Sequence, residues 1–264
     1  MPERRSSRTL RDVSHLFLSQ SRPVRDEARR GTACIWLAVA DRSMNRAHCA
    51  AGLAAAFARQ GMRVSLLEVC GSLPTIGYYF GMESAGHLSP ALDRAALVSG
   101  SWNGTVRYWF SASVSSFRGR VEEEPDRAAP RAIVAAFPYP RGRSAEPFLS
   151  ALRELSAVLA GGGPPEDGSP DAIIVAGGAE GIGGTGACVA GMREAFPRAA
   201  GFFVADHSVR ETVAFERIVL PDDLRRSWAR RMPPADPWFD DLAAGLLQVV
   251  SLRRREAVSL AAKG

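Results

Sequence analysis

Two loops carry the residues whose types and spacing bear on chemistry. The first, Ala40-Asp41-Arg42-Ser43-Met44-Asn45-Arg46-Ala47, separates an apolar run (33–39) from an alanine-rich run (48–60) with Leu53 and Phe57 at i, i+4. A loop leading from a buried strand straight into a helix meets phosphate in doubly wound folds, because backbone N–H groups and the helix dipole converge there. Asp41, Arg42, Ser43, Asn45 and Arg46 are its polar residues and hence its candidate phosphate contacts. The second loop, 177–186, is glycine-rich and holds Gly181, Gly183 and Gly186 in GxGxxG spacing. A strand at 201–205 then ends in Asp206, an acid placed for a ribose, so this loop offers a dinucleotide-binding alternative.

The elements around the first loop read as one βαβ unit. Ala33–Val39 is a buried strand, the helix covers about His48–Gln60, Gly61 suits a left-handed cap, and Arg63–Val69 is a second buried strand. This unit resembles the opening of the MinD/ParA class of P-loop ATPases, the division-site, partition and flagellar-number regulators. Gly52–Val64, GLAAAFARQGMRV, matches that family's "NLAxxLAxxGxRV" helix and turn. Leu66–Cys70, LLEVC, stands where the family has "LLDAD", which puts Glu68 at the acidic switch position. The resemblance implies an α/β fold: a doubly wound, mainly parallel β-sheet with helices on both faces.

The same resemblance exposes a departure. The loop's glycine and lysine positions are filled by Ala40, Asp41, Arg42, Ser43, Asn45 and Arg46, and Ala47 replaces the hydroxyl that would hold Mg²⁺. A P-loop needs glycines to close on phosphate oxygens, a lysine for the β/γ-phosphates and a Ser/Thr for the metal. The only lysine in the chain is Lys263. Arg46 keeps a charge, but a planar fork does not replace a compact ammonium, and Asp41 adds negative charge where polyphosphate would lie. Further on, Asp171–Val175 matches the family's "DxxIID" strand, with Ala176 where the Mg²⁺-organising acid would be. The scaffold is expected to be retained and hydrolysis lost.

The rest of the chain frames this core. Its 264 residues, 46% apolar and 23% charged, suit one domain, and the net charge of +5 comes almost entirely from arginine. Cys34, Cys49, Cys70 and Cys188 lack metal-ligand spacing and suit a reducing compartment. No apolar run approaches the roughly 20 residues of a membrane span. The cytoplasm is the expected location, with peripheral attachment at the inner membrane as the variant. Residues 1–31 form an arginine-rich leader, in which 9–18 can make a short amphipathic helix with Leu10, Val13 and Phe17 on one face. The leader is either a flexible tail or a docking peptide for a partner.

After the second strand, 71–81 is expected to cover the sheet, 90–98 to form a short helix, and 101–110 to form a hairpin or edge strand. Its aromatics suit edge packing or a stacking surface. A third buried strand spans 132–137 and a helix spans 145–160. Thr185–Phe196 reads as a helix, and Ser208 with Glu211 caps another running through Ile218. The last helix starts at Asp236-Pro237, carries Trp238, Leu242, Leu246, Val249 and Val250 on one stripe, and ends at Arg253–Arg255. That stripe either closes the core or faces a lipid surface, as the C-terminal helix of MinD does.

The domain organisation expected is a leader (1–31), one α/β domain (32–255) and a tail (256–264). The function expected is a non-hydrolysing MinD/ParA-like regulator or adaptor acting through a protein partner, either an active ATPase or GTPase homologue or a second copy. No catalytic or metal residues are expected, and no cofactor, with ATP or ADP only if the altered loop still binds. Two alternatives stay open: an NAD(P)-binding oxidoreductase using Gly181, Gly183 and Gly186, and a membrane-surface (238–260) or nucleic-acid-associated ParA-like protein with residual nucleotide binding.

Overall fold

A computed structural model describes residues 32–39, 46–69, 75–80, 98–111, 114–117, 131–138, 146–160, 169–177, 190–205, 216–219 and 236–261. In chain order the elements are β1 (Thr32–Val39), α1 (Arg46–Arg59), β2 (Arg63–Val69), β3 (Val98–Trp102) and β4 (Val106–Ser111). Next come β5 (Arg131–Pro138), α2 (Glu146–Leu159), β6 (Ala172–Gly177), β7 (Ala200–Ala205), β8 (Glu216–Val219) and α3 (Pro237–Ala261). Short 3₁₀ turns occupy Gly77–Phe80 and Val114–Phe117, and residues 190–195 are helical.

The strands form one eight-stranded sheet in the order β3-β4-β2-β5-β1-β6-β7-β8. Every neighbouring pair is parallel except β3–β4, which is antiparallel. A parallel sheet needs cover on both faces, and the side-chain alternation along the strands supplies it. Ala33, Ile35 and Leu37 of β1 join Val64, Leu66, Val134 and Ile174 under α1 and α3. Cys34 and Trp36 point the other way, joining Leu67, Ile133, Phe137 and Ile173 under α2 and residues Met192 and Phe196. This is the doubly wound α/β architecture that the sequence implies.

Helices α1 and α3 pack together on the first face. Alanines 47, 50, 51, 54, 55 and 56 of α1 are all buried, so the helix can lie close to both sheet and neighbour. The approach is tightest at Gly52, where a Cβ would stand 2.5 Å from the Phe239 ring. Trp238, Phe239, Leu242, Leu246, Leu247 and Val250 of α3 are buried in the same core. The core-closing alternative therefore holds for this stripe, and residues 238–250 do not offer it to a lipid surface. Asp236 caps α3 through Oδ1, which accepts from Trp238 N–H at 2.9 Å.

Several boundaries differ from the sequence expectation. Helix α1 begins at Arg46 and not at His48, so Arg46 and Ala47, both good helix formers, belong to its first turn and not to the loop. Val98 opens a strand, not the end of a helix, because it pairs with Phe110 across the β3–β4 hairpin. In that hairpin β4 lies inside the sheet beside β2, and only β3 is an edge. Tyr108 and Trp109 are buried there, so they pack instead of forming an open stacking surface.

Residues 216–218 are not helical. They lie in β8, where Ile218 pairs with Val204, and the β-branched pair Ile218-Val219 extends the sheet past β7. Helix α3 runs through Arg253–Arg255 to Ala261, joining the expected domain end to the expected tail. Arginine favours helix, and the Arg253 Nη1 donates to the Arg198 carbonyl at 2.6 Å. Strand β6 starts at Ala172 and reaches Gly177, with Asp171 just outside it. There the Asp171 carboxylate accepts from Cys34 N–H at 2.8 Å and ties the start of β6 to β1.

Candidate functional site

In an open parallel sheet, ligands bind outside the carboxyl ends of the strands, at the point where successive connections diverge. Here the chain leaves β1 towards β2 on one side and leaves β6 towards β7 on the other. Strands β1 and β6 are neighbours, and Val39 stands opposite Ala176 at their carboxyl ends. Ala176, which the resemblance places at the metal-organising position, lies beside the end of the strand that feeds the first loop. Of that loop's candidates, Asp41, Arg42, Ser43 and Asn45 lie outside the described residues, as do Gly181, Gly183, Gly186 and Asp206 of the dinucleotide alternative. Arg46 and Glu68 are described, and the structure brings them together.

Glu68 is the penultimate residue of β2 and is 0% exposed. A buried carboxylate is costly unless a cation and hydrogen bonds compensate it. Five donors do so here. Arg46 Nη2 at 2.9 Å and Thr75 Oγ1 at 2.6 Å donate to Oε1. Thr75 N–H at 3.0 Å, Ile76 N–H at 2.9 Å and the Tyr108 hydroxyl at 2.6 Å donate to Oε2. Three segments distant in the chain thus converge on one side chain: the first residue of α1, the turn at 75–76, and β4.

Each donor is placed by its element. Arg46 opens α1, and the connection from β1 sets that helix end beside the carboxyl end of β2. Tyr108 sits on β4 opposite Leu66, two residues before Glu68 on the adjacent strand. Its ring passes over Gly77, where a Cβ would come within 2.9 Å of Cε1, so only glycine leaves the hydroxyl its path to Glu68. Burial, and after it the Glu68 charge, raise the Tyr108 phenol far above its usual range and keep it a donor.

The Arg46 side chain is 17% exposed. Its second terminal nitrogen, Nη1, is buried and finds no hydrogen-bond partner in the structure. Two residues on, His48 is buried against the rings of Tyr79 and Phe239, at centroid distances of 5.6 and 5.9 Å. Desolvation lowers its pKa from 6.5 to about 4, so it is a neutral core imidazole. Cys49 is buried too, and its thiol is pushed up to about 12, which makes it inert.

Glu68 is fully buried, Arg46 is engaged with it, and Ala47 in the first turn of α1 is buried. Among the described residues no three His, Cys, Asp or Glu side chains are grouped to hold a metal, and no helix is long and apolar enough to cross a membrane.

Sequence reasoning singled out Glu68 and Arg46 separately, one as a switch acid and one as a phosphate contact. It missed Thr75 and read Tyr108 as an edge aromatic. The available signal was the acid itself: a glutamate inside Leu66-Leu67-Glu68-Val69 must be buried, so it must have partners.

No family model matches the sequence, and no curated protein matches it. Among solved structures, the fold is similar to the MinD cell division protein of Aquifex aeolicus at 12% identity, covering 85% of this chain and 97% of that one, with a TM-score of 0.47. It is also similar to FtsY of Mycoplasma mycoides at 9% identity, covering 92% and 75%, with a TM-score of 0.44. A third similar structure is the signal recognition particle 54 kDa protein of Aeropyrum pernix K1, in complex with GDP. It is 15% identical and covers 91% of this chain and 54% of that one, with a TM-score of 0.42.

Proposed function

We propose that this chain is a MinD/ParA-like regulator or adaptor that neither binds nor hydrolyses ATP and works through contact with another protein. The observation that carries this reading is the Arg46–Glu68 pair at the carboxyl end of the sheet, 2.9 Å long with the acid fully buried. A carboxylate that accepts five hydrogen bonds can neither reach a metal nor orient a water. An arginine spent on that carboxylate is not the mobile, compact cation that phosphoryl transfer uses. The methyl groups of Ala47 and Ala176 and the lack of any lysine but Lys263 support the same reading. The partner is a protein, either an active ATPase or GTPase homologue or a second copy of this chain, with residues 1–31 as the docking peptide.

Calorimetry with ATP and ADP in magnesium, alongside a phosphate-release assay, tests the first half. The expected result is no binding heat and no turnover. Magnesium-dependent phosphate release that is lost in Arg42→Ala and Arg46→Gln overturns it. For the second half, the full chain is expected to retain a nucleotide-hydrolysing partner that the chain lacking residues 1–31 does not.

A further inference from the structure

We infer that Glu68 is the lock of an internal clasp that holds the segment 75–80 in one fixed conformation without any ligand. The lock itself stands on hydrogen bonds; its role as a substitute for a nucleotide rests on the function proposed above. Segment 75–80 has little regular structure of its own beyond one 3₁₀ turn, closed by Tyr79 N–H to the Ile76 carbonyl at 3.0 Å. Two of its backbone N–H groups, Thr75 and Ile76, are spent on a single carboxylate, and the Thr75 hydroxyl is spent there too. That anchoring seats Ile76, Tyr79 and Phe80 in the core beside α1.

Arg46 supplies the positive charge that compensates the buried carboxylate. Without it, the buried carboxylate would lose its counter-ion and its hold on the two N–H groups would weaken. The counter-ion therefore comes from the chain's own helix start. The segment is ordered by hydrogen bonds to Glu68, 7 residues before Thr75, and Glu68 is in turn paired with Arg46, 22 positions before it. The clasp has one setting, and it keeps Ile76, Tyr79 and Phe80 seated in the core.

Amide hydrogen exchange on the intact chain tests this, with and without ATP–magnesium, in wild type and in Glu68→Gln. In wild type the amides of Thr75, Ile76 and Tyr79 are expected to be protected without nucleotide and unchanged when it is added. In Glu68→Gln they should exchange about tenfold faster or more, since hydrogen bonds to a charged acceptor are each worth at least that factor. Amides of β5 and β6 should not move.

If Glu68→Gln fails to fold, Tyr108→Phe removes one donor and leaves the ion pair. It should accelerate the same three amides several-fold. Open-chain exchange at 75–80 in wild type, or protection that arises only with ATP, overturns the clasp. The two proposals separate in this design. ATP binding with 75–80 protected and unmoved leaves the clasp standing and removes the function proposed above. No ATP binding with 75–80 unprotected does the reverse.

Discussion

Helix α1 carries an arginine–carboxylate pair at each end, of nearly equal length and in opposite surroundings. At its start, Arg46 meets Glu68 at 2.9 Å with side chains 17% and 0% exposed. At its end, Arg59 meets Asp240 at 2.8 Å with side chains 35% and 41% exposed. Distance says they are the same interaction, but solvent separates them. Water and salt screen the outer pair, which leaves it a median worth of about 0–1 kcal/mol. At the inner pair the acid has already lost its hydration, so the arginine is what makes its burial tolerable. Between the two ends α1 is held by neither charge, but by alanines and Gly52 seated against the sheet and Phe239.

The largest effect should come from breaking the inner pair from one side. Arg46→Ala leaves Glu68 buried without its counter-ion and is expected to cost about 3–5 kcal/mol in urea unfolding. Adding Glu68→Gln to that variant should recover part of the loss. A double variant no more stable than Arg46→Ala would mean that the pair is not coupled.

Acid should sharpen the same contrast, through His48. Its folded pKa of about 4 lies below the unfolded value of 6.5, so the unfolded chain takes up the proton first. Stability is therefore full above 6.5 and falls as pH drops from there towards about 4, at up to about 1.4 kcal/mol per unit. The slope belongs to the buried half of α1, and His48→Leu should flatten it, whatever that substitution does to absolute stability. An unchanged slope in the variant would assign the acid sensitivity elsewhere.

The middle of the helix should respond to size alone. Gly52→Ala puts a methyl group into the Phe239 ring and should cost about 1–3 kcal/mol with no dependence on salt. The smallest effect is expected at the outer pair, where Arg59→Ala should lower stability by less than about 1 kcal/mol and shrink further in high salt. An Arg59→Ala loss as large as that of Arg46→Ala would dissolve the comparison.

What could be read from the chain by itself was whatever depends on near neighbours along it. The strand–helix–strand unit from 32 to 69 follows from apolar runs, alanine periodicity and Gly61, which takes φ +82° in the structure. The start of α3 follows from Asp236-Pro237, which the structure bears out with the Asp236 cap.

Tertiary structure decided what those residues meet. Ser208 and Glu211 signal a helix locally, yet 216–219 became a strand because β7 offered a parallel partner. The stripe of α3 suited a core more readily than a membrane surface, and its burial against α1 and the sheet is what the structure supplies. Glu68 could be a switch acid or a buried anchor, and the choice lay with Arg46, Thr75 and Tyr108, which are 22, 7 and 40 residues away. Propensity and periodicity are properties of a short window, whereas a buried charge is settled by whichever distant donors the sheet order brings within reach. That order is a property of the whole fold.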